Sequence, residues 1–392
     1  MQHGCPDESE VLVLPSALLF SFPAPAAKTM KKRSFLKTGA ALSGALMATA
    51  AAGREISSMN PAASEGQGMG KFISNPELET HAPENWLGTP VDAGGRFRNL
   101  NFPFVPGFSS VMKWKMRPNP QEKEKKADLW RPGWQADGDF LQHRRDCLVW
   151  LGHASFFLRL DGLNMLIDPV FGKATVVKRL QSSPYPPEVW TNIHLILISH
   201  DHRDHCDLPS LRQLAKQNPE AKILSGLGMK KLLSTVFPAH SIQEAGWYQK
   251  FNYPAASIWF MPGRHWSRRG LGDTNLRLWG SFYICASRSV YFMGDSGMDT
   301  HFASIPSLHS APDFALMGIG AYSPEWFMHP SHMSPEDCWK SFLSLGANML
   351  VPMHYGTFDL SDEPASEPLR RLKAASNPDK LLLPSIGETL CL

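Results

Sequence analysis

Short apolar segments separated by polar loops dominate the central and C-terminal parts of the chain. Residues 195–198 are apolar at all four positions and β-branched at two of them, which is typical of a short buried strand. Residues 147–168 predict two strands joined by a hairpin at Asp161-Gly162, and His153 lies inside the first strand of this prediction. Further apolar runs predict strands within residues 222–225, 289–297, 314–322 and 348–358.

Two helices are predicted from their capping signals. Asp207 precedes an early proline and is expected to cap a helix over residues 208–216. Ser334 is followed by proline and two acids, so it is expected to cap a second helix over residues 335–345. Gly346 ends that second helix, since glycine readily adopts the left-handed conformation of a C-terminal cap.

A dense group of metal-binding residue types follows the predicted strand at 195–198. The pattern is H-x-H-x-D-H, and its members are His200, His202, Asp204 and His205. Imidazole nitrogens and carboxylate oxygens form the ligand set that suits zinc at a hydrolytic site. The alternative is a histidine-rich surface turn. Suitable partners that follow later strand-like runs favour the metal site.

Those partners are His265, Asp295 and His354, and each lies at or just after the end of a strand-like run. Loops at one edge of a sheet scaffold can converge on one site although they are distant in sequence. We therefore expect all of these side chains to meet at one place in the fold.

Composition indicates a globular protein and excludes some classes of function. The chain has 392 residues, of which 43% are apolar and 19% charged, and 32 prolines and 30 glycines indicate many loops. A formal net charge of +3 is too small to indicate a nucleic-acid partner. The six cysteines show no C-x-x-C pair and no disulfide spacing. Cys206 lies beside the histidine pattern, either as a filler of the turn or as a further ligand.

The N-terminal part predicts an exported protein. From Met30 the chain has a basic start, an apolar middle and small residues, which is the layout of a signal peptide. Residues 32–37 resemble a twin-arginine export signal with lysine in the first arginine position. We expect a periplasmic or membrane-associated location, or a cytoplasmic one if the signal does not function. The expected organisation is an upstream segment at 1–29, a signal peptide at 30–53, a linker at 54–83, an aromatic extension at 84–145 and the catalytic domain at 146–392.

The histidine pattern and its later partners resemble those of the metallo-β-lactamase superfamily. That resemblance implies an α/β fold, an αβ/βα sandwich of two mixed β-sheets flanked by helices. The blocks at 265–282 and 318–337 are similar to the branch of N-acylphosphatidylethanolamine-hydrolysing phospholipase D. The resemblance covers residues 84–392 and includes the motifs GRFRN, GHAS, IDPVF, SHDHRDHCD, LWGSF, GDSG, SHMSPEDC and HYGTF.

The resemblance implies two zinc ions, although iron or manganese would also suit these ligands. One ion would be held by His200, His202 and His265, the other by Asp204, His205 and His354, with Asp295 bridging both. A carboxylate suits the bridging position because it partly neutralises two cations. A hydroxide between two zinc ions is a nucleophile at neutral pH. We expect Asp204, Asp295 and His332 to carry the catalytic step.

Other residues are expected around the metals. His332 would contact the substrate or donate a proton, or would instead cap the following helix. His153 would line the pocket or simply be packed, and Asp168 would bind a ligand histidine through a hydrogen bond. Arg268, between two further arginines, would contact a phosphate or be solvated. His301 and His329 are expected at the surface.

These features predict a zinc-dependent phosphodiesterase that hydrolyses N-acylphosphatidylethanolamine-like phospholipids to N-acylethanolamine and phosphatidic acid. A lactonase or another carbonyl-ester hydrolase is the alternative within the same superfamily. A non-catalytic binding protein is a third reading, disfavoured because all seven expected ligands are present. The expected partners are a phospholipid or small ester substrate and a membrane surface. The sequence does not decide the oligomeric state, and a homo-oligomer is one of the alternatives.

Overall fold

The computed structural model describes residues 71–392 apart from residues 103, 105, 175 and 176. The predicted upstream segment, signal peptide and first part of the linker lie outside the described residues. Within residues 71–392, no described helix is long and apolar enough to cross a bilayer.

Fifteen strands are formed in this part of the chain. In chain order they are β1 Lys71–Ile73, β2 Thr89–Val91, β3 Cys147–Gly152, β4 Ser155–Leu160, β5 Leu163–Ile167, β6 Leu195–Ile198, β7 Lys222–Gly226, β8 Ile242–Ala245, β9 Gln249–Lys250, β10 Ser257–Met261, β11 Ser281–Cys285, β12 Ser289–Phe292, β13 Phe314–Gly318, β14 Met349–Met353 and β15 Thr389–Cys391.

Eight α-helices accompany these strands. They are α1 Phe108–Met116, α2 Glu122–Ala127, α3 Leu208–Gln217, α4 Lys230–Leu233, α5 His301–Leu308, α6 Glu325–Met328, α7 Pro335–Leu345 and α8 Glu367–Ala375. The two helices predicted from capping signals are thus confirmed as α3 and α7.

Most strands belong to two mixed sheets. The first has seven strands in the order β15-β3-β4-β5-β6-β7-β8, and its strands from β5 to β8 run parallel. The second has six strands in the order β14-β13-β12-β11-β10-β9, and its strands β12 to β14 run parallel. Strands β1 and β2 form a separate pair.

Strand β6 shows why the fold is layered. Leu195 and Leu197 belong to the large apolar cluster that the two sheets share. Ile196 and Ile198 point to the opposite face and belong to the cluster that includes the buried face of α3. Because successive side chains of a strand alternate between faces, an all-apolar strand must be covered on both.

Helix α7 closes the other side of the fold. It contacts β13 of the six-stranded sheet and also α5 and α8. Its buried residues Cys338, Phe342 and Leu345 join the main apolar cluster. The result is a helix–sheet–sheet–helix arrangement, so the predicted αβ/βα sandwich is confirmed.

The prediction of two strands over residues 147–168 is wrong, because three strands form there. The chain turns after Gly152, whose φ is +95°, and His153 has a φ of +55°. A left-handed pair of residues cannot continue an extended strand. The turn separates β3 from β4, whereas the hairpin at Asp161-Gly162 joins β4 to β5 as predicted.

The N-terminal segments are more ordered than their sequence indicates. Residues 71–83, predicted as part of a linker, include strand β1, and the side chain of Leu78 is buried there. Gln249 holds this stretch by donating to the carbonyls of Asn75 and Leu78. The aromatic extension contains α1 and α2, which its weak periodicity did not reveal.

The cap of α7 provides a test of the fold. The Ser334 hydroxyl accepts from the backbone N–H of Asp337 at 3.2 Å. Ser334→Ala is expected to lower the free energy of unfolding by about 1 kcal/mol, because one N–H at the helix start loses its partner. Urea unfolding followed by circular dichroism measures this loss.

Ser344→Ala is the matched control, since this exposed hydroxyl near the end of the same helix donates only to the Lys340 carbonyl. Its expected change is within about 0.5 kcal/mol. Equal losses in the two variants would contradict the capping role of Ser334.

Candidate metal centre

Five strands carry the side chains of one convergent site at their C-terminal ends. Strands β5 and β6 come from the seven-stranded sheet, and β10, β12 and β14 come from the six-stranded sheet. The residues that follow them are Asp168 after β5, the turn 200–205 after β6, His265 after β10, Asp295 after β12 and His354 after β14. The structure therefore brings together all seven residues predicted as ligands.

The first group contains His200, His202, His265 and Asp295, whose ligand atoms all lie within 4.8 Å of one another. His202 Nδ1 lies 3.0 Å from His200 Nε2 and 3.1 Å from His265 Nε2. The Asp295 Oδ2 atom is 3.8 Å from His200 Nε2 and 3.7 Å from His265 Nε2.

The second group contains Asp204, His205 and His354, together with His153, and their ligand atoms also lie within 4.8 Å of one another. Oδ2 of Asp295 is 3.2 Å from His205 Nε2, and Oδ1 is 3.1 Å from His354 Nε2. Asp204 Oδ2 lies 3.8 Å from His205 Nε2 and 3.7 Å from His354 Nε2. Asp295 is thus the residue whose carboxylate touches both groups.

The donor atoms fit bound cations. The Nε2 atoms of His205 and His354 are buried and make no hydrogen bond to any residue that the structure describes. Ligand atoms of a tetrahedral zinc at its usual bond lengths lie about 3.3 Å apart. The spacings of 3.0–3.8 Å in both groups bracket that value. Nitrogen lone pairs that face one another at such distances need a shared cation or proton.

The electrostatics of the site favour cations as well. Burial opposes ionisation of Asp295, but the nearby His205 and His354 hold its pKa well below the usual range. Burial likewise opposes ionisation of Asp204, but the hydrogen bond from His153 and the proximity of His354 and His205 outweigh it and lower the pKa. Burial lowers the pKa of His200 well below its usual value, so this imidazole is neutral. The site offers ionised carboxylates and, at His200, a neutral imidazole, which are metal-binding forms. Burial opposes protonation of His205 and His354, but the Asp295 carboxylate raises the pKa of both rings, to about 9 for His354, so a bound cation takes the place of a proton there.

Asp168 forms a hydrogen bond with His205, one of the predicted ligands. Its Oδ2 atom lies 2.7 Å from His205 Nδ1 and accepts from the Ser199 hydroxyl at 2.5 Å. Its Oδ1 accepts from the Ser199 backbone N–H at 2.8 Å. Burial raises the pKa of Asp168, while His205 and Ser199 favour its ionised form. Hydrogen bonds of this kind fix the ring orientation and tautomer of a metal-binding histidine.

His153 is packed among the predicted ligands and does not line the cavities that open at the centre. Its imidazole is buried, and Nε2 lies 3.0 Å from Asp204 Oδ2. The ring also packs on that of His354, with centroids 4.0 Å apart. Burial lowers the pKa of His153 to about 3, so the neutral ring donates to the carboxylate. The left-handed turn that splits the predicted strand directs this side chain towards the centre.

His332 lies at the edge of the centre and faces a cavity. Its Nδ1 is 3.8 Å from Asp295 Oδ2, and its ring centroid is 5.3 Å from that of His354. Burial lowers the pKa of His332 to about 4, so the neutral ring can donate one N–H to a bound substrate. The histidine that contacts the start of the following helix is instead His329, whose Nε2 lies 3.0 Å from an Asp337 oxygen.

The arginines near His265 have different partners. Arg268 lines the cavity in front of the centre, and its Nε donates to the Gly270 carbonyl at 3.1 Å. The Arg269 guanidinium donates to the carbonyls of Asp201 and Cys206, so it braces the ligand-bearing turn. The Cys206 side chain belongs to an apolar cluster, and its thiol is in none of the ligand groups found among residues 71–392 as described.

Two supporting residues were missed from the sequence. Asn99 accepts from the His265 backbone N–H at 3.0 Å and donates to the His265 carbonyl at 2.9 Å. Asp201 is buried, accepts from the Arg268 N–H and pairs with Arg277. The GRFRN motif was a signal for Asn99, and the additional carboxylate within the histidine pattern was one for Asp201. His301, predicted at the surface, is buried beside Phe302.

Two cavities meet at the centre. The apolar cleft, of about 390 Å³, is lined by Val111, Trp114, Trp266, Phe327, Met328 and His332 among others. The polar cavity, of about 580 Å³, is lined by Arg117, Lys125, Arg131 and Glu363 among others. Ala321, His354 and Leu360 border both cavities.

The hydrogen bond of Asp168 to His205 gives a testable prediction. Asp168→Asn keeps the shape of the side chain but removes the charge that orients His205. The expected result is a 10- to 100-fold lower metal affinity, as is typical when such a partner is lost. Metal content after dialysis against graded chelator, determined by mass spectrometry, measures the change.

Asp379→Asn is the control, because this carboxylate is exposed and makes no hydrogen bond or ion pair with a residue that the structure describes. Only the backbone N–H of Asp379 is engaged, and it donates to Asn377 Oδ1. Metal retention equal to that of the wild type in Asp168→Asn would show that His205 needs no such partner.

Comparisons with known proteins agree with this geometry. A profile described as a Beta-lactamase superfamily domain matches residues 163–355. The chain is 28% identical over 326 residues to N-acyl-phosphatidylethanolamine-hydrolyzing phospholipase D 1 of Caenorhabditis elegans, covering 78% of this chain and 86% of that protein. It is 30% identical over 260 residues to the mitochondrial enzyme of the same description from Saccharomyces cerevisiae, covering 62% of this chain but only 55% of the yeast protein.

A solved structure supports the fold. The isothiocyanate hydrolase from Delia radicum gut bacteria aligns with a TM-score of 0.52 and 19% identity, covering 63% of this chain and 98% of that one. With its layered sheets, its histidine and aspartate groups and these relatives, the chain carries a beta-lactamase superfamily domain over residues 163–355 and is similar to N-acylphosphatidylethanolamine-hydrolysing phospholipase D.

Proposed function

We propose that the protein is a phosphodiesterase of the phospholipase D type. It would hydrolyse N-acylphosphatidylethanolamine-like phospholipids to N-acylethanolamine and phosphatidic acid. The observation that carries the proposal is the Asp295 carboxylate between two groups of ligand atoms. Asp295 lines the apolar cleft, and the neighbouring His354 borders both this cleft and the polar cavity.

The proposed cofactor is a pair of zinc ions. His200, His202 and His265 would hold one ion, and Asp204, His205 and His354 the other, with Asp295 shared. When bound, such a pair lowers the pKa of water to near neutrality and polarises a phosphoryl oxygen. The supporting side chains Asp168, His153 and Asn99 then keep individual ligands in place.

The apolar cleft supports a lipid substrate. Trp114 stacks on Phe327 with centroids 5.2 Å apart, and Trp266 packs against the ring of His202. Aromatic and methionine side chains in front of the centre would hold an acyl chain and exclude water from it. Lactones and small esters offer less apolar area to such a cleft.

The meeting of two cavities favours a phosphodiester over a lactone. A phosphodiester carries two substituents that leave phosphorus in different directions. With phosphorus between the two groups of ligands, one substituent would enter the apolar cleft and the other the polar cavity. The neutral His332 would donate a hydrogen bond to the substrate at the border of the cleft.

We also propose contact with a membrane, where such a substrate resides. Met116 on α1 is 77% exposed and Trp326 is 43% exposed. Lys113 and Arg117 lie over the Trp326 ring at 5.1 and 5.4 Å. Apolar and cationic groups together suit an anionic lipid surface. Export of the protein, expected from residues 30–53, would fit this partner.

The direct test uses the metal-loaded full chain and mixed micelles that contain N-acylphosphatidylethanolamine. Release of N-acylethanolamine and phosphatidic acid, identified by mass spectrometry, is the expected result. Asp295→Asn is expected to abolish turnover and to lower metal content, because the shared carboxylate is lost. The exposed Asp379→Asn should retain the activity.

Two outcomes would argue against the proposal. Turnover near that of the wild type in Asp295→Asn would refute the bridging role. A fully metal-loaded protein that releases no product from the phospholipid, but opens lactones, would be a carbonyl-ester hydrolase instead.

A further inference from the structure

A third cavity lies between the ligand-bearing turn and the start of α3, and none of the seven expected metal ligands lines it. Its volume is about 460 Å³. We call it the basic pocket, because four of its lining residues are cationic. It is lined by Gly172, Lys173, Arg203, Asp207, Leu208, Pro209, Arg212 and Arg269.

The cations of the basic pocket lack counterions. In residues 71–392 as described, none of the four makes an ion pair with a carboxylate. Asp207 is the one acid among the lining residues, and it is committed to capping α3. Its Oδ2 accepts from the Ser210 backbone N–H at 3.0 Å and from the Ser210 hydroxyl at 2.6 Å. Asp207 offsets only one of the four cations, so the lining keeps a surplus of positive charge.

One wall of the basic pocket is preorganised. The Arg269 guanidinium donates to the Asp201 carbonyl at 2.6 Å and to the Cys206 carbonyl at 2.8 Å. Both carbonyls belong to the turn that carries the metal ligands. Leu208 and Pro209 place the first turn of α3 at the pocket, where the helix dipole adds positive potential. An anion would thus meet a guanidinium already held in position.

We propose that the basic pocket binds a phosphate dianion, either as free phosphate or as the phosphomonoester headgroup of phosphatidic acid. Arginine is suited to phosphate because its planar guanidinium donates two parallel hydrogen bonds. A bound dianion relieves the mutual repulsion of Lys173, Arg203 and Arg212. The site goes beyond the proposed function, since no hydrolysis takes place there. Arg203 is the residue that borders both this pocket and the apolar cleft.

Titration calorimetry of the metal-loaded full chain with inorganic phosphate tests the site. Lys173→Gln/Arg212→Gln removes two exposed cations of the pocket and leaves all metal ligands intact. This double variant is expected to bind phosphate at the pocket at least about tenfold more weakly, since hydrogen bonds to charged groups are lost. The wild type and the double variants keep every predicted metal ligand, so phosphate bound at the metal centre is expected to contribute equally to each titration.

Lys216→Gln/Lys231→Gln is the charge-matched control, because both lysines are exposed and lie outside the pocket. It is expected to bind phosphate as the wild type does. Equal phosphate binding by the wild type and both double variants would overturn the proposal. A loss of equal size in both double variants would also overturn it, because the effect would then come from net charge.

A second arm identifies the source of the phosphate. Sedimentation with phosphatidylcholine vesicles is compared with and without phosphatidic acid. Loss of phosphatidic-acid-dependent binding in the pocket variant alone assigns the site to the lipid headgroup. Lost phosphate affinity with unchanged vesicle binding assigns it to free phosphate. The arms need no turnover, so failure of the proposed hydrolysis would not affect them.

Discussion

The burial of one carboxylate among five imidazoles is the constraint on which this site depends. Asp295 has a side chain only 3% exposed, with five histidine nitrogens within 3.8 Å. An isolated buried carboxylate would be very costly, and so would a buried metal cation without one. The imidazoles, the carboxylate and a cation therefore stabilise one another only when all three are present.

A network of fixed polar contacts keeps the ligands from rearranging. Asp168 ties the end of β5 to His205, and Asp201 ties the ligand turn to Arg277 at 2.5 Å. Asn99 forms a pair of hydrogen bonds with the backbone of His265. Each contact joins segments that are distant in sequence. Such contacts restrict the ligand atoms to the spacing that a metal requires, before any metal binds.

Much of the site was predictable from the sequence, since its signals are local. The pattern at 200–205 and the strand ends before His265, Asp295 and His354 suffice to place seven side chains together. Asp168 was predictable because a carboxylate at a strand end is a common partner of a ligand histidine. The helix ends at Ser334 and Gly346 were predictable because caps depend on a few adjacent residues.

The remainder depends on tertiary contacts, which leave little trace in the sequence. Nothing local indicates that His153 leaves the strand and turns towards Asp204, because its left-handed φ is imposed by the fold around Gly152. The burial of His301 likewise depends on the surrounding fold. The short helices α1 and α2 are held by long-range contacts, such as that of Trp114 Nε1 with Asp362.

The double hydrogen bond between Asn99 and His265 has a consequence for where the working unit of this protein begins. The region matched by the superfamily profile, residues 163–355, contains every predicted ligand. It excludes Asn99, Trp114, β3 and His153, which hold ligands or shape the cleft. A chain shortened to the matched region would keep the complete ligand set and lose the framework that holds it at metal-binding distances. The framework that positions the predicted ligands is therefore larger than the matched region, and it reaches Asn99 on the N-terminal side.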